Sequence, residues 1–464
     1  MNPCDLNALG RACPPEEEKA GGLKMSWSLA RSAKGAAVPH RKNTAGSATQ
    51  VMPLPAKIVL PMSQHIGAPC EVAVKKGDTV KVGTVVGRAK GFVGADIHSG
   101  VSGTVSDVTV LKMPNGADVP AVVIVPDGAQ TPDEHCVPPQ VTDAQSLVAA
   151  ARPAGLVGLG GAGFPTAVKL TVKPEAPIDT LVINGAECEP YLTADNREFL
   201  ECSDTVLAGI AAVKQHLGIG RVIIAIERNK PEAIDLMFSL VQNDADYTVQ
   251  PLPSRYPQGA EKVLIERTTG REVPRGGLPA DVGVLVMNVT TVSALGKFLA
   301  TGMPLTTKRL TVDGPGVKEP KNVEAIIGTP IRDVLDFCGG MEDGAAKVLM
   351  GGPMMGTALC SVDFPVLKQN NGILVFLEKQ AKLAAPQPCV RCGRCIEACP
   401  MGLEPVVIAQ DFANKDFAAL KARCVDLCVA CGSCTYACPA KRPVSQTMGL
   451  AKGWYMAELR KGGK

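Results

Sequence analysis

The amino-acid sequence predicts a multidomain protein of mixed α/β and α+β architecture, and three observations support this. The chain has 464 residues, and at ~150 residues per domain this length corresponds to about three domains or more. Strand-like and helix-like segments alternate from about 140 to 300 but not elsewhere, so different regions must fold in different ways. Two runs of regularly spaced cysteines lie near the C-terminal end.

The composition excludes several classes of protein. Hydrophobic residues make up 46% and charged residues 20% of the chain, which is typical of a globular fold and excludes general disorder. A net charge of +3 and an aromatic fraction of 4% argue against a nucleic-acid-binding protein. We expect neither a membrane span nor a secretory signal, because no long apolar window occurs and the N-terminus is polar. Seventeen cysteines in such a chain predict metal binding or redox chemistry in the cytoplasm.

The N-terminal part predicts an arm followed by a β unit. Residues 1–50 are polar and rich in small residues, and we expect a loosely held arm in which Cys4 and Cys13 have no role. Residues 51–130 contain short Val-, Ile- and Thr-rich runs with a period of two, which predict a compact β unit. Its spacing resembles the barrel-sandwich hybrid fold of biotinyl and lipoyl domains. Those domains present a carrier lysine at a hairpin tip, whereas the stretch GFVGADIHS offers none, so we expect a structural module.

The remainder predicts further modules. Alternating strands and helices over 135–300 indicate an α/β layer with parallel strands. Residues 301–376 return to short strands and predict a small α+β module. A cysteine-rich region follows at 381–450. Residues 451–464 are expected to be a basic, solvated tail, and contact with anionic lipid or a membrane partner is the alternative.

Each cysteine run has the form Cys-x2-Cys-x2-Cys-x3-Cys-Pro. The x2 spacings let three thiolates reach one iron–sulfur cubane, whereas the fourth cysteine, before proline, ligates the other cluster. The spacing therefore predicts two 4Fe-4S clusters, the first bound by Cys389, Cys392, Cys395 and Cys438 and the second by Cys428, Cys431, Cys434 and Cys399. Zinc, which needs only one closed set of four ligands, and disulfides, which conflict with the compartment, are the alternatives. Cys424 lies outside the pattern and is expected to be a bystander.

A glycine-rich turn opens a predicted helix at Gly158–Lys169. Gly160, Gly161 and Gly163 allow backbone N–H groups to approach a phosphate or a flat ring. The turn does not match the dinucleotide fingerprint, so by itself it is weak support for a site. The next predicted strand ends in NGAECEP (184–190), and carboxylates at the end of a buried strand are costly unless a site uses them. A capped turn before a helix is the alternative.

The segments GLGGAGFPTAVKL and NGAECEP together resemble the flavin- and NADH-binding subunit of respiratory complex I. YPQGAE resembles the family's Tyr-x-x-Gly-Glu-Glu, with Ala260 replacing the first Glu, and MNVTT resembles its Asn-Asn-Val-Glu-Thr, with Thr290 in place of Glu. The resemblance implies bound FMN and an incoming nicotinamide. It places around them Gly160, Gly161, Gly163, Lys169, Asn184, Glu187, Glu189, Tyr256, Glu261 and Asn288, with Glu187 and Glu189 in the catalytic positions.

From about 35 to 450 the order of motifs more closely resembles the C-subunit family of Rnf complexes, the ion-translocating ferredoxin:NAD+ oxidoreductases. This resemblance implies a barrel-sandwich hybrid motif at 51–130, an FMN/NADH-binding α/β domain at 135–300, a soluble-ligand-binding β-grasp (SLBB) domain at 301–376 and a bacterial-type ferredoxin domain with two 4Fe-4S clusters at 381–450. It implies an oxidoreductase subunit, peripheral on the cytoplasmic side of the cell membrane, that passes electrons between NAD(H), FMN and the clusters. Its partners are the other subunits of the complex and, indirectly, ferredoxin.

Two alternatives stay open. A cobalamin reductase of the propanediol-utilisation type shares the flavin loop and paired clusters, but such proteins begin close to that loop, whereas a whole predicted β unit precedes it here. A flavin-less iron–sulfur relay subunit is the second alternative. Lys169, Asn184 and Glu187 argue against it, Ala260 leaves it open, and the flavin content of the purified chain separates the two cases.

Overall fold

The computed structural model describes residues 34–172 and 175–462. Cys4 and Cys13, with most of the expected arm, lie outside these described residues. Within the described ranges, no helix is both long enough and apolar enough to cross a membrane.

The secondary structure alternates strand-rich and helix-rich regions. In chain order, the strands of the described residues are β1 (Gln50–Val51), β2 (Ile58–Pro61), β3 (Glu71–Val72), β4 (Thr79–Val80), β5 (Val85–Arg88), β6 (Ile97–His98), β7 (Gly103–Lys112), β8 (Asp118–Pro126), β9 (Thr180–Gly185), β10 (Arg221–Glu227), β11 (Tyr247–Leu252), β12 (Val284–Asn288), β13 (Thr307–Asp313), β14 (Lys321–Ile326), β15 (Ala345–Met350), β16 (Thr357–Ala358) and β17 (Gly372–Leu377). The helices are α1 (Ala144–Ala151), α2 (Thr166–Leu170), α3 (Ala194–Glu201), α4 (Ser203–Leu217), α5 (Pro231–Val241), α6 (Glu261–Thr269), α7 (Val289–Thr301), α8 (Ile331–Phe337), α9 (Glu378–Ala381), α10 (Arg394–Glu397), α11 (Pro405–Ala413), α12 (Phe417–Ala422), α13 (Ser433–Tyr436) and α14 (Val444–Arg460).

The N-terminal β unit consists of two antiparallel sheets, with strand orders β2-β8-β7-β4 and β3-β5-β6. Alternating residues such as Ile58, Leu60 and Ile124 are fully buried between them. The segment joining β5 and β6 is held by the Arg152 guanidinium, which donates hydrogen bonds to the carbonyls of Gly91 and Phe92. The segment is thus fixed against the following domain.

A four-stranded parallel sheet of order β11-β10-β9-β12 forms the centre of the molecule. β9, β10 and β12 carry continuous apolar runs, as expected of strands that helices cover, whereas β11 at the edge also contains Thr248 and Gln250. The chain leaves β9 for β10 and β11 on one side and returns to β12 on the other. The strand order therefore reverses between β9 and β12, and ligands of parallel sheets bind outside the carboxyl ends of the strands at such a point.

The third module is a six-stranded mixed sheet of order β1-β14-β13-β17-β15-β16, packed against α8. β1 is contributed by the segment that precedes the β unit, and it pairs in parallel with β14. The sheet is therefore completed by a strand from far upstream in the chain.

The loosely held arm expected for residues 1–50 is wrong for the described part, 34–50. The Lys42 ammonium donates to the carbonyl oxygens of Glu187, Glu189 and Leu192 at 2.7, 2.8 and 2.6 Å. Ala36 exchanges two backbone hydrogen bonds with Tyr256. Polar composition suggested a free arm, but these polar groups bind other parts of the chain.

The C-terminal module is helical. Short helices α10 and α13 each lie within a cysteine run, and α11, α12 and α14 enclose a core that includes Ile408, Leu420 and Met448. The expectation of a solvated tail from residue 451 is wrong for its first ten residues, because α14 continues to Arg460 and buries Ala451 and Tyr455.

Candidate functional site

The glycine-rich turn lies at the switch point of the parallel sheet. Gly161 and Gly163 have φ angles of +115° and +65°, a region that L side chains rarely adopt. A Cβ atom on Gly160 would lie 2.9 Å from the Asn288 amide nitrogen, whereas one on Gly161 would meet nothing closer than the Asn371 amide at 4.0 Å. The turn therefore leaves open space above Gly161.

Both predicted asparagines lie at the carboxyl edge of the sheet, and Asn288 lies against Gly160 of this turn. Asn184 and Asn288 are register partners at the carboxyl ends of β9 and β12. Asn288 donates through Nδ2 to Asp195 at 2.7 Å, and Thr290 donates to the other oxygen of the same carboxylate at 2.7 Å. Asn184 donates to the Gly259 carbonyl at 3.0 Å. The asparagines thus tie the strand ends to helix α3 and to the loop before α6.

Lys169 and Glu261, from α2 and α6, form an ion pair at one edge of the site. The Lys169 ammonium lies 2.6 Å from Glu261 Oε1 and donates to the Val286 carbonyl at 2.8 Å. Both side chains keep about a third of their surface exposed. The pair is therefore open to solvent and to a ligand.

Glu187 is a helix-capping residue in this structure. Its carboxylate accepts the backbone N–H of Asp195 at 2.8 Å and of Asn196 at 3.4 Å, at the start of α3. A carboxylate at a helix N-terminus is favoured by the unpaired N–H groups and the helix dipole. Burial raises the pKa of Glu187, and the Lys42 ammonium opposes that rise. Its predicted catalytic contact stays a prediction.

Glu189 binds a loop of the third module. Its two carboxylate oxygens accept the backbone N–H groups of Met354 and Met355, each at 2.9 Å. A Cβ on Gly352 would lie 2.3 Å from Glu189 Oε2, so the loop approaches the carboxylate closely only because that residue is glycine. Burial raises the pKa of Glu189.

Tyr256 connects this site to the cysteine region. Its side chain is almost fully buried in a cluster that contains Ala36, Val38 and Cys431, with Cys188 and Met354 packed against it. Burial raises the pKa of Tyr256 far above its usual range. Arg275, which follows α6, forms a bidentate ion pair with Asp426 at 2.9 and 2.6 Å. The α/β domain and the cysteine region are thus joined at two places.

Sequence reasoning missed residues that come from distant segments. Gln369 and Asn371 of the third module face Gly163 and Gly161, and Gln369 Oε1 is buried without a hydrogen-bond partner among the described residues. Asp195, which links Asn288 to α3, and Lys42 were missed as well. One sequence signal could have found Gln369 and Asn371. They lie in the polar run KQNNG (368–372), which separates two apolar segments.

The predicted second cysteine set lies together. One cavity is lined by Cys399, Cys428, Cys431 and Cys434, so the fourth cysteine of the first run joins the first three of the second. Burial raises the pKa of Cys434 to about 12. Thiols in such a place become thiolates only beside a bound cation.

The predicted first set lies at the surface. Cys389 and Cys392 are exposed, whereas Cys395 and Cys438 are partly buried. A backbone hydrogen bond from Gln387 to Ala440 at 2.9 Å brings the two ends of this set together. Cys424 does not line the cavity of the second set.

The residues fit the groups that the motifs imply. The turn is open at Gly161, and the amide side chains of Asn288, Gln369 and Asn371 lie beside its three glycines, which suits a flat, polar-edged ring. The buried thiol cavity and the exposed thiol set fit two cubanes with exchanged fourth ligands.

Matches to family models agree with this division into four modules. The chain matches the RnfC barrel sandwich hybrid domain over 30–129, the Nuo51 FMN-binding domain over 151–297, the SLBB domain over 309–358 and a 4Fe-4S dicluster domain over 388–442. Fold and site therefore define an electron-transfer flavoprotein that carries iron–sulfur clusters.

Curated relatives give the particular family. The C subunit of the Na(+)-translocating ferredoxin:NAD(+) oxidoreductase complex of Acetobacterium woodii is 43% identical, over 91% of this chain and 97% of its own length. The C subunit of the proton-translocating complex of Clostridium ljungdahlii is 42% identical, over 80% of this chain and 81% of its own. The chain belongs to the family of C subunits of ion-translocating ferredoxin:NAD+ oxidoreductase complexes. Among solved structures, an NAD+-reducing NiFe hydrogenase in its H2-reduced state aligns with 69% of this chain and 61% of its own, at 18% identity and a TM-score of 0.45.

Proposed function

We propose that this chain exchanges electrons between NAD(H) and the other subunits of a membrane-bound ion-translocating complex, through FMN and two 4Fe-4S clusters. It acts as a peripheral subunit on the cytoplasmic side of the membrane. Family membership supports the oxidoreductase class. The observation that carries the proposal is the open glycine-rich turn at the switch point, which lies against Asn288, the register partner of Asn184.

Bound FMN supplies the conversion between a hydride and single electrons, and the clusters supply one-electron steps. The chain's own residues bind and orient these groups. Gly161 leaves room for a ring beside the backbone, Gly160 leaves room for the Asn288 amide, and Asn288 is held in place by Asp195. Lys169 places a positive charge at the edge, where it favours anionic groups of a cofactor or nucleotide.

We infer the order of electron transfer from the positions of the two cysteine sets. Cys431 of the second set packs with Tyr256 at the flavin side, whereas Cys389 and Cys392 of the first set face solvent. Met354 also packs against the cluster of Tyr256 and Cys431, and its backbone N–H donates to the Glu189 carboxylate. We therefore assign the second cluster to the flavin side and the first cluster to the exit toward a partner.

An anaerobic absorbance titration of the purified chain with NADH, with iron counted on the same sample, tests this function. Bleaching of a flavin band and of the broad iron–sulfur shoulder is expected, with about eight irons per chain. The same iron count with no flavin and no response to NADH would support the flavin-less relay subunit instead.

A further inference from the structure

The surface around the first cysteine set is strongly basic. Arg391 and Arg394 lie within this set, and Lys441 and Arg442 follow its last cysteine. All four side chains are exposed, and none forms an ion pair with another described residue. Glu397 is the only carboxylate in 383–400 and 436–443. The whole chain carries a net charge of only +3, so positive charge is concentrated here.

Apolar side chains lie among these cations. Leu383, Val390 and Tyr436 are 85%, 66% and 48% exposed. These exposed thiols, apolar groups and unpaired cations belong to two segments, 383–395 and 436–442, that the hydrogen bond from Gln387 to Ala440 joins. We call these two segments the basic rim. Small apolar centres with charged rims are typical of weak, transient redox contacts, which bury less than about 1,200 Å².

We propose that the basic rim docks an acidic protein or protein domain that carries its own one-electron centre near its surface. This inference rests on the proposed function, since it assumes a cluster at the exposed cysteine set. A cluster at the surface can exchange electrons only with a centre brought close to it, which favours a redox partner over a lipid. A second copy of the chain would bring like charges together and is disfavoured.

Electrostatic attraction between the basic rim and an acidic partner predicts that their association rate depends on salt. Complementary charges raise association rates by about 10- to 1,000-fold at low salt, and this gain is lost as ionic strength rises. The Debye length falls from about 30 Å at 0.01 M to about 3 Å at 1 M. Electron transfer at the basic rim must therefore depend on the charge of the partner and on salt.

The test uses the holoprotein with both clusters and two protein probes of opposite charge. Photoreduced plant-type ferredoxin, an acidic protein, is mixed with the oxidised chain in a stopped-flow instrument across a series of NaCl concentrations. The NADH-reduced chain is mixed with oxidised cytochrome c, a basic protein, in the same series. We expect the ferredoxin rate to fall about tenfold or more with rising salt and the cytochrome rate not to fall.

Charge-reversal variants test whether the salt-dependent reaction with ferredoxin takes place at the basic rim. K441E/R442E is expected to slow the ferredoxin reaction about tenfold at low salt and to match the native chain at high salt. The matched control is K297E/K318E, which reverses two exposed lysines outside the rim and is expected to retain most of the native rate. R394E tests a third cation of the basic rim in the same reaction with ferredoxin. The iron content of every variant must stay at the native value.

Three results would overturn the proposal: a ferredoxin rate independent of salt, equal slowing by the control pair, or loss of binding to anionic phosphatidylserine vesicles in K441E/R442E without any change in electron transfer. The reduction of the chain's own clusters by NADH is measured on the same samples. If that reduction fails while the ferredoxin rate still depends on the rim, the proposed NAD(H) function is wrong and the docking surface stands.

Discussion

Tyr256 of the predicted flavin site and Cys431 of the predicted second cysteine set pack in one buried cluster of side chains. This contact places the α/β domain directly against the ligands of one predicted cluster. The Arg275–Asp426 ion pair joins the same two modules at a second point, close in sequence to Cys431. The relative position of the α/β domain and the cysteine module is therefore set by two separate contacts, one apolar and one ionic.

Removing the ionic contact should slow electron transfer more than it lowers stability. The pair is partly exposed, so R275A is expected to cost no more than about 1 kcal/mol. We expect cluster reduction after NADH addition to slow severalfold, because the cysteine module is less firmly positioned. Stopped-flow absorbance measures this rate.

Two controls accompany this variant. R271A breaks a similar ion pair, with Asp179, inside the α/β domain and should leave the rate unchanged. The exchanged pair R275D/D426R should restore it. A native rate in R275A would show that the ion pair does not position the module.

A methyl group on Gly160 should weaken flavin binding. Its Cβ would lie 2.9 Å from Asn288 Nδ2, and overpacking of this kind costs about 1–3 kcal/mol, or about 5- to 150-fold in FMN affinity. Fluorescence titration of the flavin-stripped chain with FMN measures the affinity. G220A, where a Cβ meets nothing within 4 Å, is the matched control. Equal affinities in both variants would place the flavin elsewhere.

Lys42 should stabilise the loop that carries Glu187 and Glu189, and more so at high pH. Burial, with the nearby Lys230 charge, lowers the pKa of Lys42 from its ordinary value of 10.5 to about 8. Between these values the unfolded chain binds more protons than the folded chain, so the contribution of Lys42 to stability rises with pH. K42M should cost about 2 kcal/mol at pH 7 and more at pH 9.5, measured as a shift in the urea midpoint.

K75M provides the comparison, because Lys75 is exposed and its side chain makes no ion pair with a described residue. It should shift the midpoint little at either pH. A K42M effect that shrinks between pH 7 and pH 9.5 would contradict the assigned protonation change.

Cys399 and Cys424 should differ in what their loss does to the iron content. Cys399 lines the cavity of the second set and Cys424 does not. C399S should therefore reduce the iron from about eight to about four per chain, whereas C424S keeps about eight. Iron analysis with electron paramagnetic resonance of the reduced samples distinguishes the two. Equal losses would make Cys424 a ligand.

Local spacing predicted the parts of the fold and site that depend on neighbouring residues. The cysteine sets follow from ligand spacing, and the convergence of Asn184 and Asn288 follows from two parallel strands that end together. Lys42 could not be predicted, because its acceptor Glu187 lies 145 residues away in the chain. Gln369 and Asn371 reach the turn only through the docking of the third module, which no periodicity encodes. The predictions for the described arm (34–50) and the first part of the tail (451–460) were wrong, because a polar composition does not show whether the polar groups bind water or other parts of the chain.

The order of the relay is open to direct measurement: electrons should pass from NADH through the flavin to the second cluster before the first. Rapid anaerobic mixing with NADH, followed by flavin absorbance and by freeze-quench electron paramagnetic resonance, tests this order in the native chain and in C399S. We expect native flavin reduction in C399S but much slower reduction of its remaining cluster. Reduction of that cluster at the native rate, or reduction of clusters in a chain stripped of flavin, would contradict the proposed order.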